Sequence, residues 1–196
     1  VKIGECYTDF GQGNFRVTDK PYDLAINGDG FFAISFTNKA GEASVKYTRD
    51  GAFTVNRDGY LMTKDGDYVL NQAAAEAGNP GQAGYIQVDP NLELQVDEGG
   101  NLYQNGVLLG QIGVVDFEDY NFLQKYGENL YDVVAGGQVQ ASDAQVIQGT
   151  LEMSNVNVIS EMVEMITISR AYETNQKIIQ SIDETLEKAV NNIGKA

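Results

Sequence analysis

The sequence predicts a mainly β domain of short strands and hairpins, followed by one long C-terminal α-helix with an a/d heptad seam. Three observations carry that prediction. From about residue 20 to 135, short β-type runs are broken by Gly, Asp and Asn. After about residue 155 there is no Pro, and the only Gly is Gly194. In that last stretch apolar residues recur at alternating steps of three and four, the period of a helix that faces another helix. The same observations divide the chain into an extended N-terminal connector (1–19), a β-rich domain (20–140), a return connector (141–156) and a coiled-coil helix (157–196).

Period-two alternation appears in the β part at Leu24/Ile26, Phe53/Val55, Ile86/Val88 and Leu92/Leu94/Val96, as half-buried strands require. Between these runs lie Asn27-Gly28-Asp29-Gly30, Asp50-Gly51, Asp58-Gly59, Asp65-Gly66, Gly99-Gly100 and Asn105-Gly106. Asn-Gly and Asp-Gly pairs supply the positive φ that tight hairpin turns need. A faint internal repeat is also visible. Val55-Asn56-Arg57-Asp58-Gly59-Tyr60-Leu61 matches Val96-Asp97-Glu98-Gly99-Gly100-Asn101-Leu102, and a second turn follows each copy. Two copies are too few for a solenoid, so they read as equivalent hairpins of one sheet system. Ala73 to Gly81 reads as a flexible loop between them.

In the helix, Met165, Ile168, Tyr172, Asn175, Ile179, Ile182, Leu186, Ala189 and Ile193 form the seam, with Asn175 its polar member. Charged residues, including Glu164, Arg170, Glu173, Lys177, Glu184 and Lys188, fall outside it. At 1.5 Å per residue the helix spans about 55 Å, longer than a small sheet can cover. A strict a/d stripe is also narrower than the face of an ordinary surface helix. The seam therefore predicts helix pairing, and a buried Asn175 would fix register at some cost in stability.

Composition narrows the function. The 196 residues carry 13 Lys+Arg, 28 Asp+Glu and no His, a formal charge of −15. Such a surface repels nucleic-acid phosphate and anionic membranes. Without His there is no Ser-His or Cys-His nucleophile pair and no imidazole metal site. Cys6 is the single cysteine, which excludes internal disulfides and thiolate zinc cages. No apolar run approaches the ~20 residues of a membrane span. The opening Val1-Lys2-Ile3-Gly4, without Met or a signal-peptide pattern, reads as a fragment or a processed product.

Three constellations fail on their own chemistry. Asn27-x-Asp29-Gly30 would open a calcium loop with Ala25 at position 1 and Phe36 at position 12, neither of which can ligate. Gly11-Gln12-Gly13 lacks the strand, the helix and the third Gly of a dinucleotide fingerprint. Asp116 and Glu118 could run glycoside chemistry, but among 28 acidic residues nothing singles them out. No catalytic, cofactor-binding or metal-binding residue is assigned.

Several motifs in order resemble those of the bacterial flagellar rod and hook protein family. They begin with Tyr7-Thr8-Asp9-Phe10-Gly11-Gln12-Gly13-Asn14, Pro21-Tyr22-Asp23-Leu24-Ala25-Ile26-Asn27-Gly28-Asp29-Gly30-Phe31-Phe32 and Tyr47-Thr48-Arg49-Asp50-Gly51-Ala52-Phe53. The closing set runs from Gly149 to Val158, then Glu161-Met162-Val163 and Arg170-Ala171-Tyr172-Glu173-Thr174-Asn175. The resemblance covers about 7–71 and 107–193 and is weakest over 72–95. It implies a non-enzymatic axial subunit of the basal-body rod, located outside the cytoplasmic membrane and exported without a cleaved signal. It also implies that a long N-terminal helix pairs with the C-terminal one inside a β-rich outer layer. This chain is expected to lack that first helix, which would account for the orphan seam.

The implied partners are copies of the chain and other rod or hook subunits, with no nucleic acid, membrane insertion, small-molecule substrate or cofactor. A hook subunit carries a larger outer domain than the 90 residues between Gly59 and Gly149 allow. That leaves the distal rod subunit and the closely related proximal one, of which the distal is slightly preferred. Two rival readings are a soluble binding module, whose helix docks one partner in a closed complex, and an acidic carboxylate-based hydrolase.

Overall fold

The structure, a computed structural model, describes residues 8–193, with side chains described to Asn191. Cys6 and Gly194 lie outside the described residues, as does the side chain of Ile193. The chain forms two compact units, one ending at Ser154 and the other beginning at Asn155.

The first unit is built of short strands. β1 (Phe15–Val17), β2 (Leu24–Asn27), β3 (Phe31–Thr37) and β4 (Ala43–Thr48) open it. A meander follows of β5 (Thr54–Val55), β6 (Leu61–Met62) and β7 (Tyr68–Val69), then the short helix α1 (Gln72–Glu76). A second meander comprises β8 (Leu94–Val96), β9 (Asn101–Gln104) and β10 (Val107–Gln111). The unit ends with β11 (Val114–Phe117), β12 (Leu123–Tyr126), β13 (Leu130–Val133), β14 (Val139–Ala141), β15 (Gln145–Gln148) and β16 (Thr150–Glu152). The second unit is α2 (Val158–Ile193), 36 residues long.

β3 organises the main sheet. It pairs antiparallel with β4 along six residue positions, from Phe32 opposite Thr48 to Thr37 opposite Ala43. Its other edge pairs with β11 at Phe31–Phe32 and with β7 at Ile34–Ser35. A strand flanked on both edges and covered on both faces needs a continuous apolar run, and Phe31-Phe32-Ala33-Ile34 is one, wholly buried. Phe32 packs with Leu24, Phe53 and Leu61 in one core cluster, and Phe31 with Tyr47, Val115 and Phe117 in the other. Burying each ring contributes about 1.5–3 kcal/mol.

The internal repeat is real geometry. Gly59 and Gly100 both have positive φ, +85° and +76°. Each donates its N–H three residues back, to Asn56 O at 3.1 Å and to Asp97 O at 3.0 Å. Leu61 and Leu102, the equivalent apolar positions, are both fully buried. The two copies belong to different sheets, however: β5–β6–β7 extend the main sheet, while β8–β9–β10 form a separate three-stranded one. This corrects the single-sheet expectation. What the copies share is a core, since Leu61, Val69, Leu94 and Leu102 all join one cluster. A shared core requires matching inward residues, not a common hydrogen-bond ladder.

The expected flexible loop at 73–81 is also corrected. Asn71 caps α1 by accepting the Ala74 N–H at 2.9 Å, and Ala74 and Ala75 are buried. Alanine fits because the space is small: a Cβ on the neighbouring Gly113 would crowd both Ala75 and the Leu70 carbonyl. β1 lies within 1–19, and β15 and β16 within 141–156; all three strands belong to the unit that ends at Ser154.

Candidate functional site

α2 begins at a cap. Asn157 Oδ1 accepts the N–H of Ile159 at 3.1 Å and of Ser160 at 3.4 Å, and Glu161 places an acidic group in the first turn. The cap satisfies helix-start donors that have no partner within the helix, and the Glu161 charge favours the positive end of the helix dipole. Thr167, Thr174 and Thr185 return their hydroxyls to carbonyls one turn back, at 2.7–2.8 Å. Every residue of the helix whose burial is described is exposed.

The structure places the predicted seam residues along one helix. Met165 is 67% exposed, Ile179 59% and Leu186 57%, values unusual for large apolar side chains in a row. Ile168, Tyr172 and Ile182 lie on the same line and are exposed too, with Asn175 and Ala189 completing the described part. A shallow depression on this face is lined by Tyr172, Asn175, Gln176, Ile179 and Gln180. The first four stand at i, i+3, i+4 and i+7, the diamond that receives a knob from a facing helix in coiled-coil packing.

The heptad count missed a second apolar area. Val158, Ile159, Met162, Val163 and Ile166 are all more than half exposed. At about 100° per residue they run from the seam's edge round to its opposite side. The first turns of α2 thus carry a broad apolar arc, with Ser160, Glu161 and Glu164 on the remaining side, whereas the later turns carry a narrower stripe. The signal lay in the sequence as consecutive pairs, Val158-Ile159 and Met162-Val163, which a seven-residue register discards.

A different constellation sits in the β unit. β1 pairs antiparallel with β16, Phe15 opposite Glu152 and Val17 opposite Thr150. The described start of the chain therefore runs beside the last strand before the segment leading to α2. Arg49, at the end of β4, donates from Nη2 to Gly28 O at 2.8 Å and from Nε to Gly30 O at 3.0 Å. Its Nη1 meets the Glu152 carboxylate at 3.3 and 3.4 Å. Glu152 also accepts the Gly13 N–H at 2.8 Å. Phe10 inserts among Phe31, Tyr120 and Tyr131, with ring centroids 5.2–5.9 Å apart. Sequence reading gave Arg49 and Glu152 no role, because 103 residues separate them and no local pattern joins them.

The rejected chemistries meet the same geometry. The Asn27–Gly30 turn offers two of its carbonyls to the Arg49 guanidinium. Asp116 accepts from Tyr120 OH at 2.8 Å and from Gln140 Nε2 at 2.9 Å, while Glu118 points to solvent. Burial, reinforced by the Asp116 carboxylate, pushes the Tyr120 phenol far above its ordinary range. Burial also raises Tyr131, and burial together with Asp132 raises Tyr47. These shifts move the phenols away from neutrality, the wrong direction for an acid or base working near pH 7. Among the described residues no group of three or more Cys, Asp or Glu is placed to hold a metal, and no helix is long and apolar enough to cross a membrane.

Two family descriptions match the chain. Residues 25–104 match "Flagellar hook protein FlgE/F/G D1 domain", and residues 147–193 match "Flagellar basal body rod FlgEFG protein C-terminal". The chain is 38% identical over 189 residues to the flagellar basal-body rod protein FlgF of Caulobacter vibrioides, covering 95% of this chain and 71% of that protein. It is 34% identical to the flagellar basal-body rod protein FlgG of Buchnera aphidicola from Acyrthosiphon pisum, covering 90% and 67%. It is 35% identical to the FlgG of Bacillus subtilis, covering 89% and 66%. The first family boundary falls inside β2 and the second just before β16, so α2 and the strand leading to it belong to one matched region.

Proposed function

The chain belongs to the flagellar basal-body rod protein family, and from that premise we propose that α2 assembles it into the rod by pairing its seam with a second helix. The protein is a structural axial subunit of the basal body, placed outside the cytoplasmic membrane, and its partners are other rod and hook subunits. It is not an enzyme; it bears and transmits torque through contacts alone.

One observation carries the helix-pairing reading: large apolar residues exposed in heptad register along a helix that buries none of them within its own unit. Asn175, at a seam position, fixes register and orientation between the paired helices. The broad apolar arc at 158–166 favours polymer over closed complex, because it extends beyond the face that one partner helix along the seam would cover. The antiparallel pair β1–β16 supports the same reading by bringing the approach to residue 15 alongside the strand that leads to α2.

Sedimentation and electron microscopy of the full gene product, beside a version ending at Ser154, test this. The expected result is filaments from the former and a folded, non-assembling β unit from the latter. Filament growth by the version without α2 would exclude helix pairing as the driving contact.

A further inference from the structure

Arg49 stands where four separated stretches of chain meet: the Gly28–Gly30 turn, β4, β16 and the segment before β1. Its side chain is 16% exposed and that of Glu152 9%, so the pair is shielded from water and salt. A buried guanidinium is costly unless its donors meet fixed acceptors. Two acceptors here are carbonyls of a turn held by positive-φ glycines, Gly28 at +118° and Gly30 at +145°. The flat face of the guanidinium lies over the Phe31 ring, 5.4 Å from its centroid. These three contacts fix Arg49 to the sheet. The remaining one, to Glu152, reaches the end-strand ribbon.

The ribbon's other hydrogen bonds to the unit are between neutral groups: Gly149 and Thr150 donate their N–H groups to Asp23 O at 2.8 and 3.4 Å, and Gln12 Nε2 donates to Ile26 O at 2.6 Å. β1 and β16 form a two-stranded sheet of three residue pairs, and such a ribbon is marginal alone. Phe15 and Val17, on one of its faces, are 38% and 70% exposed and add little apolar hold. Glu152 compensates by engaging both strands at once, as a residue of β16 that accepts from Gly13 just ahead of β1.

We propose that Arg49 is a positioning residue that acts through Glu152 to lock β1 and β16 onto the β unit, so that the two strands move with the sheet as one stiff ribbon. The inference stands on the β unit alone; only its consequence, a rigid root for the torque-bearing helix, rests on the assembly reading.

Hydrogen exchange on the unassembled chain tests it apart from filament growth. The probes are the amides of Gly13, Thr18 and Met153, whose acceptors are Glu152 Oε1, Gly149 O and Asn14 O. Arg49→Met is expected to speed their exchange about ten- to a hundredfold while the amides of β3 and β4 change by less than about twofold. Arg49→Lys, a point charge without the fork needed to hold turn and carboxylate together, is expected to give an intermediate rise. An equal rise across β3 and β4 would make Arg49 a general stability residue and overturn the proposal, as would no rise at all. Should Arg49→Met fail to fold, Glu152→Gln decides. It keeps an acceptor for Gly13 but removes the charge, and unchanged exchange at Thr18 and Met153 would then overturn the proposal.

Discussion

The β unit and α2 are stabilised in opposite ways. Residues 8–154 bury two apolar clusters, one mainly aliphatic and one rich in aromatics, and among the described residues no buried side-chain polar atom lacks a hydrogen-bond partner. α2 satisfies its backbone with its own ladder and its cap, yet exposes nearly every large apolar side chain it has. A helix of 36 residues is long enough to form, but burial of an apolar face is what normally stabilises one in a protein. The difference separates the labour: one region buries its apolar residues within itself, and the other presents them.

Four perturbations break or sharpen that contrast. The largest effect is expected from Ile179→Asp combined with Leu186→Asp, which puts two charges into the seam. Assembly of the full gene product should be abolished, with the tyrosine signature of the β unit unchanged; sedimentation and near-ultraviolet circular dichroism read the two separately. Filaments of normal length from this double variant would refute the seam.

The converse variant is Gly51→Ala. A Cβ at Gly51 would run into the Leu24 carbonyl oxygen, while the Gly51 carbonyl accepts the Leu24 N–H at 3.0 Å, so neither backbone can retreat without losing the other. The expected loss is about 4 kcal/mol or more, confined to the β unit. Urea unfolding followed by tyrosine fluorescence, undisturbed in a chain without Trp, measures it.

Leu61→Ala and Leu102→Ala compare the two copies of the repeat within the β unit. Both leucines are fully buried in the same cluster, so each substitution should cost about 2–5 kcal/mol, with the two within about 1 kcal/mol of each other. A large difference in denaturation midpoint would show that the copies share a shape without sharing a load.

The smallest effect comes from Asp97, in the turn of the second copy. Hydrogen bonds from the Asn101 side chain and backbone hold its carboxyl below the ordinary 3.8. Between that lowered value and 3.8 the unfolded chain binds more protons than the folded one, so stability rises with pH there and fades as pH falls through the folded value. Asp97→Asn should flatten this segment of an acid-unfolding curve slightly and leave the curve above pH 5 unchanged.

What was legible in the sequence follows the range of the forces. The boundary between strands and helix and the glycine turns depend on spacings of a few residues, and each could be read directly. The Asn71 cap before Ala73-Ala74-Ala75 is equally local, but a run of small residues beside Gly78-Asn79-Pro80 has the composition of a loop and masks it. Arg49 with Glu152, Phe10 with Tyr131, and the placement of the repeat copies in two sheets depend on topology, which no local period encodes. The apolar face at 158–166 fell between these cases. Its residues are neighbours in sequence, but a heptad register keeps only those that fit the stripe.

The pairing of β1 with β16 has an architectural consequence. Because the strands lie side by side, residues 18–149 form a closed excursion from a hairpin-like stem, the arrangement under which domain insertion is best tolerated. In an engineer's terms they are a cassette. A larger cassette could be grafted at the same two joints, provided that it keeps Arg49 in place to hold Glu152 of the stem. The outer layer of such a subunit can thus change in size and shape while the part that leads to the shaft is inherited unaltered.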